Sequence, residues 1–136
     1  MPERFKRSTL RETTIDGEQI LFCCVDSIAT RRMIWESVRS SASFFVDGRM
    51  SAEVLRVLAV NEPAIDDYYQ RTLFAAEEAH VGACTARATI YTASIAAGMM
   101  LLPFAKWLRR LPIDFDLTLN LFAAELTAGE SSLAGW

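Results

Sequence analysis

Residues 19–31 read QILFCCVDSIATR, an apolar run that stops at an acidic residue and passes directly into a helix-forming segment. Residues 20–25, with Cys23 and Cys24 side by side, suit a strand buried on both faces of a parallel sheet. Asp26 then falls at the carboxyl end of that strand. Ligands of open α/β sheets collect outside those ends, and a carboxylate placed there can hold Mg²⁺ beside the phosphates of a nucleotide. The phosphate cradle that usually accompanies such a site is missing. Neither GxGxxG nor GxxxxGK[ST] occurs, and none of the six glycines is clustered between a strand and a helix.

A chain of 136 residues with 51% hydrophobic content fits a single domain with a real core. The net charge of −3 argues against a general nucleic-acid binder, which needs a concentrated basic surface. Arg4, Lys6, Arg7 and Arg11 at one end and Lys106, Arg109 and Arg110 near the other read as solvated faces. Of the three cysteines, Cys23, Cys24 and Cys84, none forms a CxxC pair, so no structural zinc site is expected. An odd cysteine count with two on a buried strand fits a reducing cytoplasm, and MPERFKRSTL lacks the apolar segment of a signal peptide.

Residues 88–105 carry no charge and just reach the ~17–25 residues a membrane span needs. Thr89, Tyr91, Thr92, Ser94, Gly98 and Pro103 dilute the stretch, so a buried core helix is the expectation and no membrane is assigned. Pro103 is expected to kink or end that helix. Beyond it, Phe104, Trp107, Leu108 and Leu111 fall on one side, and Lys106, Arg109 and Arg110 on the other.

The remaining pattern places a strand at 19–25 and a helix at 27–40 capped by Ser27, with Ile28, Ile34, Trp35 and Val38 supplying its apolar contacts. A short strand follows at 44–47, with Gly48 marking a turn. Another strand spans 53–60, with Val54, Leu58 and Val60 inward. Asn61-Glu62-Pro63 breaks it. Residues 66–82 begin loop-like and turn helical around 73–79; the long helix covers 85–102, and 115–122 closes as a strand.

The order VDSIATR, then FFVDGRM, then CTARATIYTASIAAGMM resembles the ThiF/MoeB/E1-like activating enzymes, over roughly residues 18–126. VDGRM is closest to the ThiF-like proteins of bacterial and phage gene clusters. The resemblance implies an α/β fold. It would be a partial Rossmann-like, ThiF-type mixed sheet with a long buried helix, lacking the amino-terminal nucleotide-binding half, in one domain over residues 1–136. It also implies adenylation of the C-terminal carboxylate of a small ubiquitin-like or sulfur-carrier protein. The intact family uses Mg-ATP, and none is expected to bind tightly to this chain alone. A homodimer or a complementary amino-terminal half is the expected assembly.

By the same resemblance, Asp26 matches the aspartate that helps bind Mg-ATP and shares its Mg²⁺. Arg31 matches an arginine five residues on; pairing with a nearby carboxylate is its expected job. Cys84 matches a cysteine that some relatives use for a thioester or persulfide. A helix N-terminus would favour its thiolate, and it also reads as a small buried hydrophobe; sequence leaves both readings open. His80 reads as a surface histidine. Asp47 and Arg49 either bond one another and shape the VDGRM turn or face a nucleotide, with structure the better reading. Asp66, Asp67, Glu77 and Glu78 lack histidine or cysteine partners and are assigned no metal.

Overall fold

The computed structural model describes residues 17–78 and 89–129. In chain order the elements are β1 (Gln19–Cys23), α1 (Ile28–Val38), β2 (Ala42–Ser51), β3 (Val54–Val60), α2 (Pro63–Glu78), α3 (Ile90–Leu108), β4 (Asp116–Asn120) and β5 (Glu125–Ala128). The strands form one mixed sheet in sequential order. β1 and β2 are parallel, joined by α1, and each later pairing is antiparallel.

Period-two alternation sorts the side chains of β2 onto two cores. Phe45 joins Cys23, Ile34, Trp35, Val38, Leu58, Ile65, Tyr69 and Leu73 under α1 and α2. Phe44 and Val46 join Leu55, Val57, Ala59, Ala96 and Met100 under α3. The helices follow the matching period of 3.6: α1 buries Arg31, Ile34, Trp35 and Val38, and α3 buries Thr92, Ala96, Met100 and Pro103. The result is a helix–sheet–helix sandwich.

Local chemistry sets the element ends. Ser27 caps α1, its hydroxyl accepting from the Thr30 amide at 3.3 Å, and Thr89 caps α3 by accepting from Thr92 at 3.3 Å. Pro63 opens α2, where its missing N–H costs nothing and its fixed φ is already helical. Asn61-Glu62-Pro63 therefore ends β3 and starts a helix in the same step. The expected loop at 66–72 is helical.

Gly48 is not a turn residue. β2 runs through it to Ser51, and the chain reverses at 52–53 with Ala52 at φ 51°. A Cβ on Gly48 would stand 2.5 Å from the Met100 sulfur, so glycine lets the Met100 side chain lie against the strand, and a larger residue would displace it. Pro103 does not end its helix either. α3 continues to Leu108 because Phe104 and Trp107 pack on Phe44, with ring centroids 5.5 and 5.3 Å away, and offset the lost backbone bond.

The same geometry corrects further expectations. Leu108 and Leu111 are exposed while Phe104 and Trp107 turn inward, so they do not share one apolar side. Arg109 and Arg110 are exposed, and Lys106 makes a partly exposed ion pair with Asp114 at 2.8 Å, so the basic residues lie on the surface as expected. β1 is an edge strand of the described sheet with Phe22 partly exposed, not a strand buried on both faces, and Cys24 lies exposed beyond its end. Val54 is exposed at the start of β3. The expected strand at 115–122 is β4, which ends at Asn120; a tight turn then returns the chain as β5, a strand the pattern does not reveal.

The long helix is only half buried. One side of α3 covers β2 and β3, while Ile90, Tyr91, Ile95, Leu101, Leu102 and Leu108 remain exposed, Leu101 at 55%. Among the described residues no helix is long and apolar enough to cross a membrane.

Candidate functional site

Asp26 occupies the bend between β1 and α1, exposed, one residue before the cap of the helix. It stands at the carboxyl end of β1, and Ser27 takes the capping role. No described residue forms an ion pair or hydrogen bond with Asp26. Its carboxylate is therefore free to ligate an Mg²⁺ carried in by a nucleotide. One carboxylate is not a cage, and among the described residues no group of three or more His, Cys, Asp or Glu side chains converges on a metal position.

Beneath this bend lies a buried ionic cluster. Asp47, on β2 directly opposite Cys23 of β1, is fully buried. Its Oδ1 accepts from Arg31 Nε at 2.7 Å; its Oδ2 accepts from Arg49 Nε at 2.8 Å and from the Tyr69 hydroxyl at 2.9 Å. Arg31 and Arg49 are themselves almost withdrawn from solvent, with side chains 5% and 14% exposed. A second guanidinium nitrogen of Arg31 donates to the Val25 carbonyl at 2.5 Å and, more weakly, toward the Gly48 carbonyl at 3.5 Å. Arg49 reaches α2, donating to the Thr72 hydroxyl at 2.9 Å and the Thr72 carbonyl at 3.3 Å, with its guanidinium 5.6 Å from the centre of the Tyr69 ring.

This arrangement meets the requirement for burying charge: the ions are paired, and their remaining polar atoms find hydrogen bonds. Burial alone would lower the affinity of the Arg31 guanidinium for its proton, but the Asp47 charge and hydrogen bond outweigh it and push it up. Burial, then the Asp47 charge, pushes the Cys23 thiol up to about 12 and the Tyr69 hydroxyl well above its usual range. Neither is a nucleophile at neutral pH. Cys24, also shifted upward chiefly by burial, lies 3.9 Å from the Met100 sulfur.

A parallel cluster sits one strand pair further along the same face. Asp116 receives a two-pronged contact from Arg56, at 2.9 and 2.7 Å, and a short hydrogen bond from the Tyr68 hydroxyl. Burial would raise the Asp116 carboxyl, but Arg56 and Tyr68 together hold it below the usual carboxylate range. Arg49 and Arg56 are direct cross-strand partners, a like-charge juxtaposition that costs stability unless carboxylates intervene. Asp47 and Asp116 supply those carboxylates.

Sequence reading located Asp26, expected a carboxylate partner for Arg31, and allowed the Asp47–Arg49 bond; the structure brings all three of the latter together. It missed Tyr68, Tyr69, Thr72, Arg56 and Asp116. A signal existed for two of these, since Arg56 is an isolated charge inside VLRVLAV and Asp116 opens an apolar strand; each needs a partner there. Asp66 is pushed upward, mainly by burial and then by Asp67 against the opposing pull of Arg39. Cys84, His80 and the amino-terminal basic residues lie outside the described residues. No protein-family model matches the chain, and comparison with curated proteins returns no match.

Proposed function

We propose that this chain is the carboxy-terminal portion of a ThiF/E1-like adenylation domain. In that reading it contributes Asp26 to a Mg-ATP site that adenylates the C-terminal carboxylate of a ubiquitin-like or sulfur-carrier protein, and it is inactive alone. The observation that carries the reading is the free, exposed Asp26 carboxylate at the carboxyl end of a strand whose parallel neighbour is β2. Among the described residues β1 is the last strand on its side of the sheet, where further parallel strands could add as a complementary amino-terminal half would. Mg²⁺ would offset phosphate charge during attack on the nucleotide; the chain's own contribution is to hold one ligand at a fixed place. A cytoplasmic setting goes with this chemistry.

The chain alone is expected to give no ATP–pyrophosphate exchange. Exchange should arise on addition of a complementary amino-terminal half and be largely lost in Asp26→Asn, which keeps shape but not charge. A normal exchange rate from the isolated chain would sink the half-domain reading, and tolerance of Asp26→Asn in the restored enzyme would remove Asp26 from the site.

A second reading, an interaction or dimerisation module derived from the same fold, is favoured by the outer face of α3. Gly98 sits there in mid-helix, at a cost of ~1 kcal/mol relative to alanine, and no described atom lies within 4 Å of where its Cβ would be. Together with exposed Leu101 and Leu102 it forms a surface that another copy could cover closely. Light scattering should give a dimer or larger species that Leu101→Glu dissociates. A compact monomer across micromolar concentrations would eliminate this assembly.

A further inference from the structure

The β1–α1 bend that carries Asp26 has no regular structure of its own, yet its backbone is fastened from below. The carbonyl of Val25, next to Asp26, is held by Arg31, and Arg31 is held in turn by Asp47 on the neighbouring strand. Asp47 is held from α2 by Tyr69 directly and through Arg49 by Thr72. A continuous chain of directional bonds thus joins α2, β2 and the bend.

We infer that Arg31, Asp47 and Tyr69 form a positioning device that fixes the backbone of the Asp26 bend, so that the packing of α2 determines where the exposed carboxylate stands. The role of Asp26 as ligand rests on the adenylation reading; the fastening of the bend does not. Three features separate the device from an ordinary stabilising ion pair. The guanidinium uses different nitrogens for Asp47 and for the Val25 carbonyl, so one side chain bridges strand and bend. A lysine ammonium cannot hold both with that fixed planar geometry. The carboxylate between them is fully buried, where each bond is stronger and a missing partner is felt more than at the surface. The parallel Arg56–Asp116–Tyr68 cluster, by contrast, makes no hydrogen bond to the bend.

The test is backbone hydrogen exchange on the full chain, read at residues 24–28 and at β3. Arg31→Lys is expected to speed exchange at 24–28 at least about tenfold while amides of β3 change by less than about threefold, the size of effect that losing a charge-assisted bond produces. Tyr69→Phe, which keeps the ring and removes one donor to Asp47, should give the same pattern at roughly threefold. Arg56→Lys, with the same chemistry at the other cluster, should leave 24–28 unchanged. A folded Arg31→Lys with an unaltered bend, or acceleration in equal proportion across β3, would overturn the device. If Arg31→Lys does not fold, Tyr69→Phe decides by the same criterion. Asp26→Asn should leave exchange at 24–28 as it is. A restored enzyme that tolerated Asp26→Asn would therefore remove Asp26 from the site while the anchoring stood, and an insensitive bend would do the reverse.

Discussion

On the side of the sheet under α1 and α2, Asp47 and Asp116 gather Arg31, Arg49 and Arg56 together with two adjacent tyrosines; under α3 the contacts are Phe44, Val46, Leu55, Val57, Ala96 and Met100. The first side adds directional bonds, whose geometry favours one register of helix on sheet, to an apolar core that includes Trp35, Val38, Phe45, Leu58 and Leu73. The second is held by shape, and its closest point is a sulfur lying over a glycine. The two sides should therefore respond differently to comparable changes. Removing one partner from the ionic side leaves a buried charge behind, whereas a change under α3 is felt as volume.

The largest expected effect follows from that asymmetry. Arg31→Ala should destabilise by about 3–5 kcal/mol in urea unfolding, since Asp47 would stay buried with one of its two counter-charges gone and the Val25 carbonyl would lose its donor. Replacing the whole set together, Arg31→Met, Asp47→Leu, Arg49→Met and Tyr69→Phe, should cost less than Arg31→Ala alone, because no uncompensated charge remains. A single substitution costing under ~1 kcal/mol would mean that the cluster is solvated in practice and that the contrast between the faces is one of appearance.

On the apolar side the corresponding probe is Gly48→Ala. The added Cβ must displace the Met100 side chain, with an expected loss of about 1–3 kcal/mol. In a Met100→Ala background most of that loss should vanish, giving a coupling energy that a double-mutant cycle reads directly. Additive costs would place the strain in the strand backbone instead.

This position also shows where sequence reading fails. Gly48 looked like a turn because glycine after Asp47 is a good local turn signal, and the requirement it meets comes from a helix some fifty residues later. Pro103 is tolerated in the same way, inside a helix whose aromatic residues hold it to the sheet, while Pro63 ends the strand as expected and also opens a helix that its local signal does not announce. What local chemistry decides was legible, including Ser27 as a cap, Asp26 at a strand end and a carboxylate partner for Arg31. The long-range pairings, Tyr69 with Asp47 and Tyr68 with Asp116, depend on α2 lying across the sheet. That helix was itself obscured by reading Asn61-Glu62-Pro63 as a break alone.

The ionic side should be sensitive to pH at both extremes. The Asp116 carboxyl is held below its ordinary value of 3.8 in the folded state, so its contribution is present above that pH and is lost as pH falls through the folded value. Acid unfolding should therefore begin below about pH 3.8 at this cluster, and Arg56→Met should move the onset upward. In alkali the sign reverses. Cys23 is raised from 9.0 to about 12 and Tyr68 above 10.0, so stability should be full below pH 9 and decline as pH climbs from there. The check is a set of urea midpoints from pH 2 to pH 11, with Cys23→Ala flattening the first part of the alkaline decline. An alkaline limb that Cys23→Ala leaves unaltered would assign the decline elsewhere.

The smallest effect concerns an arginine that does no such work. Arg110 ends α3 in the left-handed region at φ 56°, while its amide donates to the Trp107 carbonyl at 3.0 Å and that of Leu111 to the Lys106 carbonyl at 2.9 Å. This pair of bonds is the Schellman arrangement, in which the residue with positive φ is usually glycine, because a Cβ there crowds the following carbonyl. Arg31, Arg49 and Arg56 each hold a carboxylate; Arg110 is exposed and makes no ion pair among the described residues, so nothing in its side chain offsets the backbone strain. Arg110→Gly should accordingly raise stability by about 0.5–1 kcal/mol, the relief of the left-handed residue less the greater freedom of glycine in the unfolded chain. The effect is small enough to need a shift in urea midpoint at unchanged slope rather than a melting temperature alone. Stability that falls instead would mean that the Arg110 side chain steadies the end of α3, and the apolar side of the sheet would then depend on a charge after all.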